Sequence, residues 1–198
     1  MTRAAEITRT TGETDVRLSL ALDGRGDGTR STGVGFFDHM LDLLARHGRL
    51  DLDVQVTGDL GTGAHHTVED TGIVLGQALD QALGDRHGIT RYGHAVVPMD
   101  EARASTTLDL SGRPFCSVEA ADLPPGVTGG FDHELAEEFF RAVANGARMT
   151  LHVTVETGTN AHHQIEAMFK AFARALRQAV AIDPDETGVP STKGTLTA

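Results

Sequence analysis

Two short segments carry residues able to do metal chemistry: AHHTVED at residues 64–70 and AHHQIEA at 161–167. Each places a histidine pair just ahead of a glutamate and opens an apolar-periodic stretch. On a helix turning about 100° per residue, His65 and Glu69 share a face, as do His66 and Glu69, while the adjacent histidines diverge. Such a pair is poorly placed to chelate one ion. It suits two ions, or one ion here and another across an interface. Neutral imidazole with carboxylate fits a first-row divalent metal such as manganese, iron or zinc, and not calcium or magnesium. One copy alone reads equally well as polar residues at a helix start. Two copies at matching places in the chain favour metal ligation by His65, His66, Glu69, His162, His163 and Glu166.

The elements that must position these residues repeat as well. A shift of 99 positions sets HMLDLLARHGRLDLDVQV on EFFRAVANGARMTLHVTV, with Leu41 on Phe140, Leu52 on Leu151 and Val54 on Val153. Past a shorter loop the shift becomes 97, and His65-His66 falls on His162-His163. Each copy runs from a segment with apolar spacing of three and four to an alternating strand, a loop, the histidine motif and a second amphipathic helix. The preceding stretches DVRLSLALDG and EARASTTLDLSGRPFCSVEA read as strands, the latter broken by a turn at Ser111–Pro114. The pattern predicts an α+β fold of two duplicated halves, each a sheet with helices on one face. The halves are taken as 1–90 and 91–183, followed by a Pro-, Gly- and Thr-rich tail, 184–198, expected to be a loop or mobile terminus. The repeat also pairs His39, at the start of its helix, with Glu138. Since glutamate ligates divalent metals too, each half then supplies two histidines, one glutamate and a fourth group, His39 or Glu138, enough together for two ions.

Composition narrows the partners. The 198 residues carry 28 acidic and 17 basic side chains, a net charge of -11, which argues against a nucleic-acid or anionic-membrane surface while leaving room for a local anion pocket. The single cysteine, Cys116, reads as a small buried hydrophobe and excludes an intramolecular disulfide. No apolar run of signal-peptide or membrane-spanning length occurs, so a cytoplasmic protein is expected.

Five blocks, GVGFFDHML, HHTVEDTG, SGRP, NAHHQIEAMFKAFARALRQAV and PSTKG, together resemble the imidazoleglycerol-phosphate dehydratases, lyases of histidine biosynthesis, over nearly the whole chain. The resemblance implies ferredoxin-like halves, each a mixed four-stranded sheet with two helices on one face. It also implies two manganese ions per site and trimers assembled into a 24-subunit shell with sites between subunits. Carried over by position, the ligands are His39, His65, His66, Glu69, Glu138, His162, His163 and Glu166, with His39 also touching substrate. Glu13 matches the family's acid-base glutamate, and Arg91, Arg113, Lys170, Ser191 and Lys193 match its substrate and phosphate contacts. Lys170, four residues after Glu166, is placed to point toward the metal region or pair with that glutamate. Three positions depart from many relatives: Leu43 replaces a glutamine, Glu138 a histidine, and GDLGTGAHH a more acidic or histidine-containing loop.

The family reaction removes water from D-erythro-imidazole-glycerol phosphate to give imidazole-acetol phosphate, with cations on the imidazole nitrogens helping to delocalise the developing charge. A di-metal phosphatase would use a similar ligand set, and a metal-stapled assembly protein would need neither Glu13 nor the basic residues. Within the dehydratase reading, Glu138→Ala is expected to weaken metal occupancy and assembly together. Intact metal stoichiometry in that variant, measured by elemental analysis, removes Glu138 from the ligand set.

Overall fold

The computed structural model describes residues 3–196. Alternation of apolar and polar residues builds the first sheet from β1 (Ala4–Thr10), β2 (Thr14–Ala21), β3 (Arg30–Ser31) and β4 (Asp51–Gly58), in the order β1-β2-β4-β3. Val16, Leu18 and Leu20 of β2 face inward beside Leu52, Val54 and Val56 of β4, with Leu18 opposite Val54 in antiparallel register. The short β3 pairs parallel to β4, which makes the sheet mixed. Two helices belong to this half: α1 (Gly35–Gly48) and α2 (His65–Leu83).

The second sheet repeats the plan with β5 (Tyr92–Met99), β6 (Ala102–Asp109), β7 (Phe115–Glu119) and β10 (Thr150–Thr157), in the order β5-β6-β10-β7 with β7 parallel to β10. A small hairpin of β8 (Val127–Thr128) and β9 (Phe131–Asp132) precedes α3 (Leu135–Gly146), and α4 (Ala161–Val180) closes the half. The predicted duplicated fold is thus realised: β10 spans the residues of β4 shifted by 99, and a left-handed arginine follows each short helix, Arg49 at φ 54° after α1 and Arg148 at φ 53° after α3. Strands β1, β3 and β5 add to the elements expected from local patterning. All three lie at sheet edges, where one open side weakens the alternation that marks a strand.

Each long helix lies on its own sheet, α2 on β1 and β2 and α4 on β5 and β6, while the shorter helices cross over: α1 packs on α4, and α3 packs on α2. Glycines set the α2–α3 approach. A Cβ at Gly76 would fall 2.6 Å from the Val143 carbonyl oxygen, and one at Gly146 would fall 2.8 Å from that of Ile73. Phe139 and Phe140 of α3 meet Phe169 of α4 with ring centroids 5.0 and 4.9 Å apart, and Phe37 of α1 meets Phe139 at 5.4 Å. One hydrophobic core therefore runs through both halves.

Fully buried Arg86 fastens the join. It pairs with Asp80 and donates to the carbonyls of Leu110 (3.3 Å), Ala147 (3.0 Å) and Leu196 (3.1 Å). The C-terminal tail is a loop as expected, and it is docked: the Gly88 amide donates to Gly188 O at 2.8 Å, and Leu196 is buried. Cys116, partly buried on β7, has its thiol pushed up to about 11 by that burial, so it stays protonated at neutral pH. Among the described residues no helix is long and apolar enough to cross a membrane.

The helix crossing makes Gly76→Ala a direct probe. The added methyl is expected to cost about 1–3 kcal/mol by overpacking, read as a lower midpoint of chemical denaturation at constant slope. An unchanged midpoint would mean that α2 and α3 are not in this contact.

Candidate metal and phosphate site

Because α1 crosses onto α4, His39 near the start of one helix meets the first turns of the other. His39 Nε2 lies 3.6 Å from Glu166 Oε2, and His162 Nε2 lies 3.1 Å from the same oxygen. Donor atoms of His39, His162 and Glu166 fall within 4.8 Å of one another, the only such three-ligand group among the described residues. Glu166 is buried while both histidines reach solvent, so the carboxylate lies beneath the two rings. Lys170, one turn along α4, contacts the other carboxylate oxygen at 2.5 Å. Burial raises the Glu166 carboxyl, but the Lys170 ammonium and the His162 contact outweigh it and hold the group below the ordinary glutamate value. An ionised carboxylate between two imidazoles is a donor set that fits a divalent cation.

The equivalent region at the start of α2 is open. His65 Nε2 stands 3.6 Å from Glu69 Oε2, and the repeat would bring Glu138 to them from α3. Glu138 does not complete that trio in the described chain; its carboxylate lies 3.7 Å from Arg141 on its own helix. Glu13, in the β1–β2 turn, faces the motif, with Oε1 3.6 Å from His66 Nε2. Buried Asp70 anchors that turn by pairing with Arg9 of β1 and accepting the Thr14 hydroxyl.

Three further carboxylates bear on the paired histidines. Asp59, just after β4, lies 3.0 Å from His66 Nδ1. Glu101, in the β5–β6 turn, lies 2.7 Å from His163 Nδ1, while Asp100 stands 3.8 Å from Nε2 of the same ring. These hydrogen bonds raise both imidazoles above the usual histidine value, and the His163 contact pulls Glu101 down to about 2. By sequence alone Asp100 and Glu101 are an acidic pair at a strand start, with a structural reading. The signal that could have found it is the matching place of Glu13 in the other hairpin turn.

The basic candidates divide. Lys170 lies beside the His39, His162 and Glu166 trio through its pair with Glu166. Arg91, Arg113, Ser191 and Lys193 line one open groove formed by the tail and the start of β5, and none of the eight ligand candidates borders it. Arg91 donates two hydrogen bonds to Asp109 (2.7 and 3.0 Å) and one to Pro190 O (2.7 Å), leaving two of its five N–H donors for a ligand. Beyond Lys170, Arg46 and Arg49 of the α1 end and Arg174 and Arg177 of α4 line a second basic recess on this acidic chain. His47 there is held below the usual histidine value by burial and by neighbouring Lys170 and Arg174.

The family model described as imidazoleglycerol-phosphate dehydratase matches residues 32–176. A protein of that name from Albidiferax ferrireducens is 56% identical over 195 residues, covering 98% of this chain and 95% of its own. One from Acetivibrio thermocellus is 58% identical over 196 residues, covering 99% and 100%. The crystal structure of the Staphylococcus aureus imidazoleglycerol-phosphate dehydratase superposes with a TM-score of 0.82 at 42% identity, covering 91% of this chain and 99% of that one. That from Pyrococcus furiosus gives 0.83 at 37%, covering 96% and 100%.

The Glu166–Lys170 pair yields a measurable expectation. Lys170→Met leaves a buried carboxylate without its ammonium, expected to cost about 3 kcal/mol of unfolding free energy in metal-free protein, part of it restored by manganese. Equal loss with and without manganese, in parallel denaturation curves, would show that no cation reaches Glu166.

Proposed function

Because the chain belongs to the imidazoleglycerol-phosphate dehydratase family, we propose that it dehydrates D-erythro-imidazole-glycerol phosphate to imidazole-acetol phosphate in histidine biosynthesis, in the cytoplasm, using two manganese ions per site. The observation that carries this reading is the meeting of His39 with His162 and Glu166, which draws one cation-binding donor set from both halves of the duplication.

The reaction loses the hydroxyl on the carbon attached to the ring and a proton from the neighbouring carbon; the resulting enol takes up a proton to become the ketone. That C–H is not acidic in the free substrate. When bound, two divalent cations would supply Lewis acidity for the charge that develops on the imidazole ring. His65, His66, Glu69, Glu138 and His163 would complete the ligand set begun by the trio. Glu13, exposed and aimed at the His66 ring, can take the proton from carbon and return one to product. Arg91, Arg113, Ser191 and Lys193 hold the phosphate through guanidinium, hydroxyl and ammonium donors, and the basic recess on α1 and α4 favours approach of an anion to an otherwise acidic chain.

The separation of the phosphate groove from the metal trio supports a site completed by another subunit. Exposed apolar side chains of Tyr92, Val96, Phe115, Val127 and Ile182 supply surface for self-association. The assembly we propose is the 24-subunit shell of trimers that the family resemblance implies.

Manganese-loaded protein is expected to convert the substrate to the ketone without releasing inorganic phosphate, and chelation is expected to abolish this. Release of phosphate instead would identify a hydrolase, and inertness of metal-bound, folded protein would favour a purely structural role for the metal. Glu13→Gln is expected to lower kcat by about 10²–10⁴-fold while leaving manganese stoichiometry intact. An unchanged kcat would remove Glu13 from proton transfer.

A further inference from the structure

The second histidine of each pair is held from behind. Asp59 Oδ1 and Oδ2 lie 3.1 and 3.0 Å from His66 Nδ1, and Glu101 Oε2 lies 2.7 Å from His163 Nδ1. An ionised carboxylate only accepts, so each Nδ1 must carry the proton, and a neutral ring then presents a bare lone pair at Nε2. On the opposite faces, Glu13 and Asp100 stand 3.6 and 3.8 Å from the two Nε2 atoms, beyond hydrogen-bond length, so no direct hydrogen bond competes with a ligand there.

Neither carboxylate is free to turn away. Glu101 Oε1 accepts the backbone amides of Thr159 (3.2 Å) and Asn160 (2.8 Å) at the entry to α4, which commits Oε2 to the histidine. Asp59 accepts the Thr62 hydroxyl at 3.1 Å, and its own amide donates to the Glu13 carbonyl at 3.1 Å.

The partners are not repeat equivalents. His66 and His163 correspond under the shift of 97, yet Asp59 follows β4 whereas Glu101 lies in the β5–β6 turn. Duplication alone would copy one position into both halves. Here the same contact is built from two different elements, which marks the ring orientation, and not the surrounding chain, as the feature in common.

We propose that Asp59 and Glu101 are positioning residues that fix His66 and His163 as Nδ1–H tautomers and aim each Nε2 at a metal ion. This rests on the reading of the two histidines as ligands, and it adds the carboxylates that orient them, a role such partners commonly play for metal-bound imidazole.

The test uses the full chain with ¹⁵N-labelled histidine, metal-free, by magic-angle-spinning NMR, with the two resonance pairs identified by their loss in His66→Gln and His163→Gln. At a pH well above the raised titration range of the two rings, the wild-type protein is expected to show protonated Nδ1 and bare Nε2 at both residues. In Glu101→Gln the amide oxygen stays on the Thr159 and Asn160 amides, so the amide NH₂ faces Nδ1 and the His163 proton moves to Nε2; Asp59→Asn is expected to do the same at His66. Manganese affinity, measured by calorimetry, is expected to fall about 10- to 100-fold in each variant, with circular dichroism unchanged. A wild-type Nε2–H tautomer at either residue overturns the inference whether or not the variants fold. So does unaltered manganese affinity in both variants. If wild-type protein takes up no manganese, the metal reading fails by itself, and the tautomers still decide whether the carboxylates orient the rings.

Discussion

The exchange of helices between the two halves governs everything else in this molecule. Each sheet is covered by its own long helix, and each short helix finds its partner in the other half, α1 on α4 and α3 on α2. The cause is apolar burial: Met40, Leu41 and Leu44 of α1 and Phe139, Phe140 and Val143 of α3 would remain in water if the halves separated. Glycines let α2 and α3 approach closely, and aromatic rings fill the space among α1, α3 and α4. The same exchange carries His39 to His162 and Glu166. A donor set that neither half holds alone is thus a by-product of core packing.

Electrostatics follow from that geometry. A carboxylate as buried as Glu166 needs positive charge nearby to stay ionised, and Lys170 provides it from the same helix while two imidazoles stand ready on the open side. The groove proposed for phosphate is built differently, from the docked tail and the start of β5, where Asp109 orients Arg91 without using all its donors.

The duplication was legible because equivalent elements in each half bury the same kinds of residue, so Leu52 and Leu151, or Leu41 and Phe140, announce the repeat. Its histidine motifs came with it, as did the pairing of Lys170 with Glu166, which needs only helical spacing. The edge strands β1 and β5 and the two-residue β3 were not legible, since edge or minimal strands leave little alternation. Asp59 and Glu101 were hidden for another reason: turn carboxylates acquire their partners through tertiary contact, which leaves no periodic trace. The repeat makes Glu138 the counterpart of His39, and within this chain its carboxylate lies 3.7 Å from Arg141, where α1 carries Asp42 at the matching place.

The most direct test is anomalous diffraction at the manganese edge from crystals grown with Mn²⁺. The account predicts an ion bound jointly by His39, His162 and Glu166, ligands from both halves of the chain. Manganese bound elsewhere, with that trio empty at full occupancy of the other sites, would contradict it.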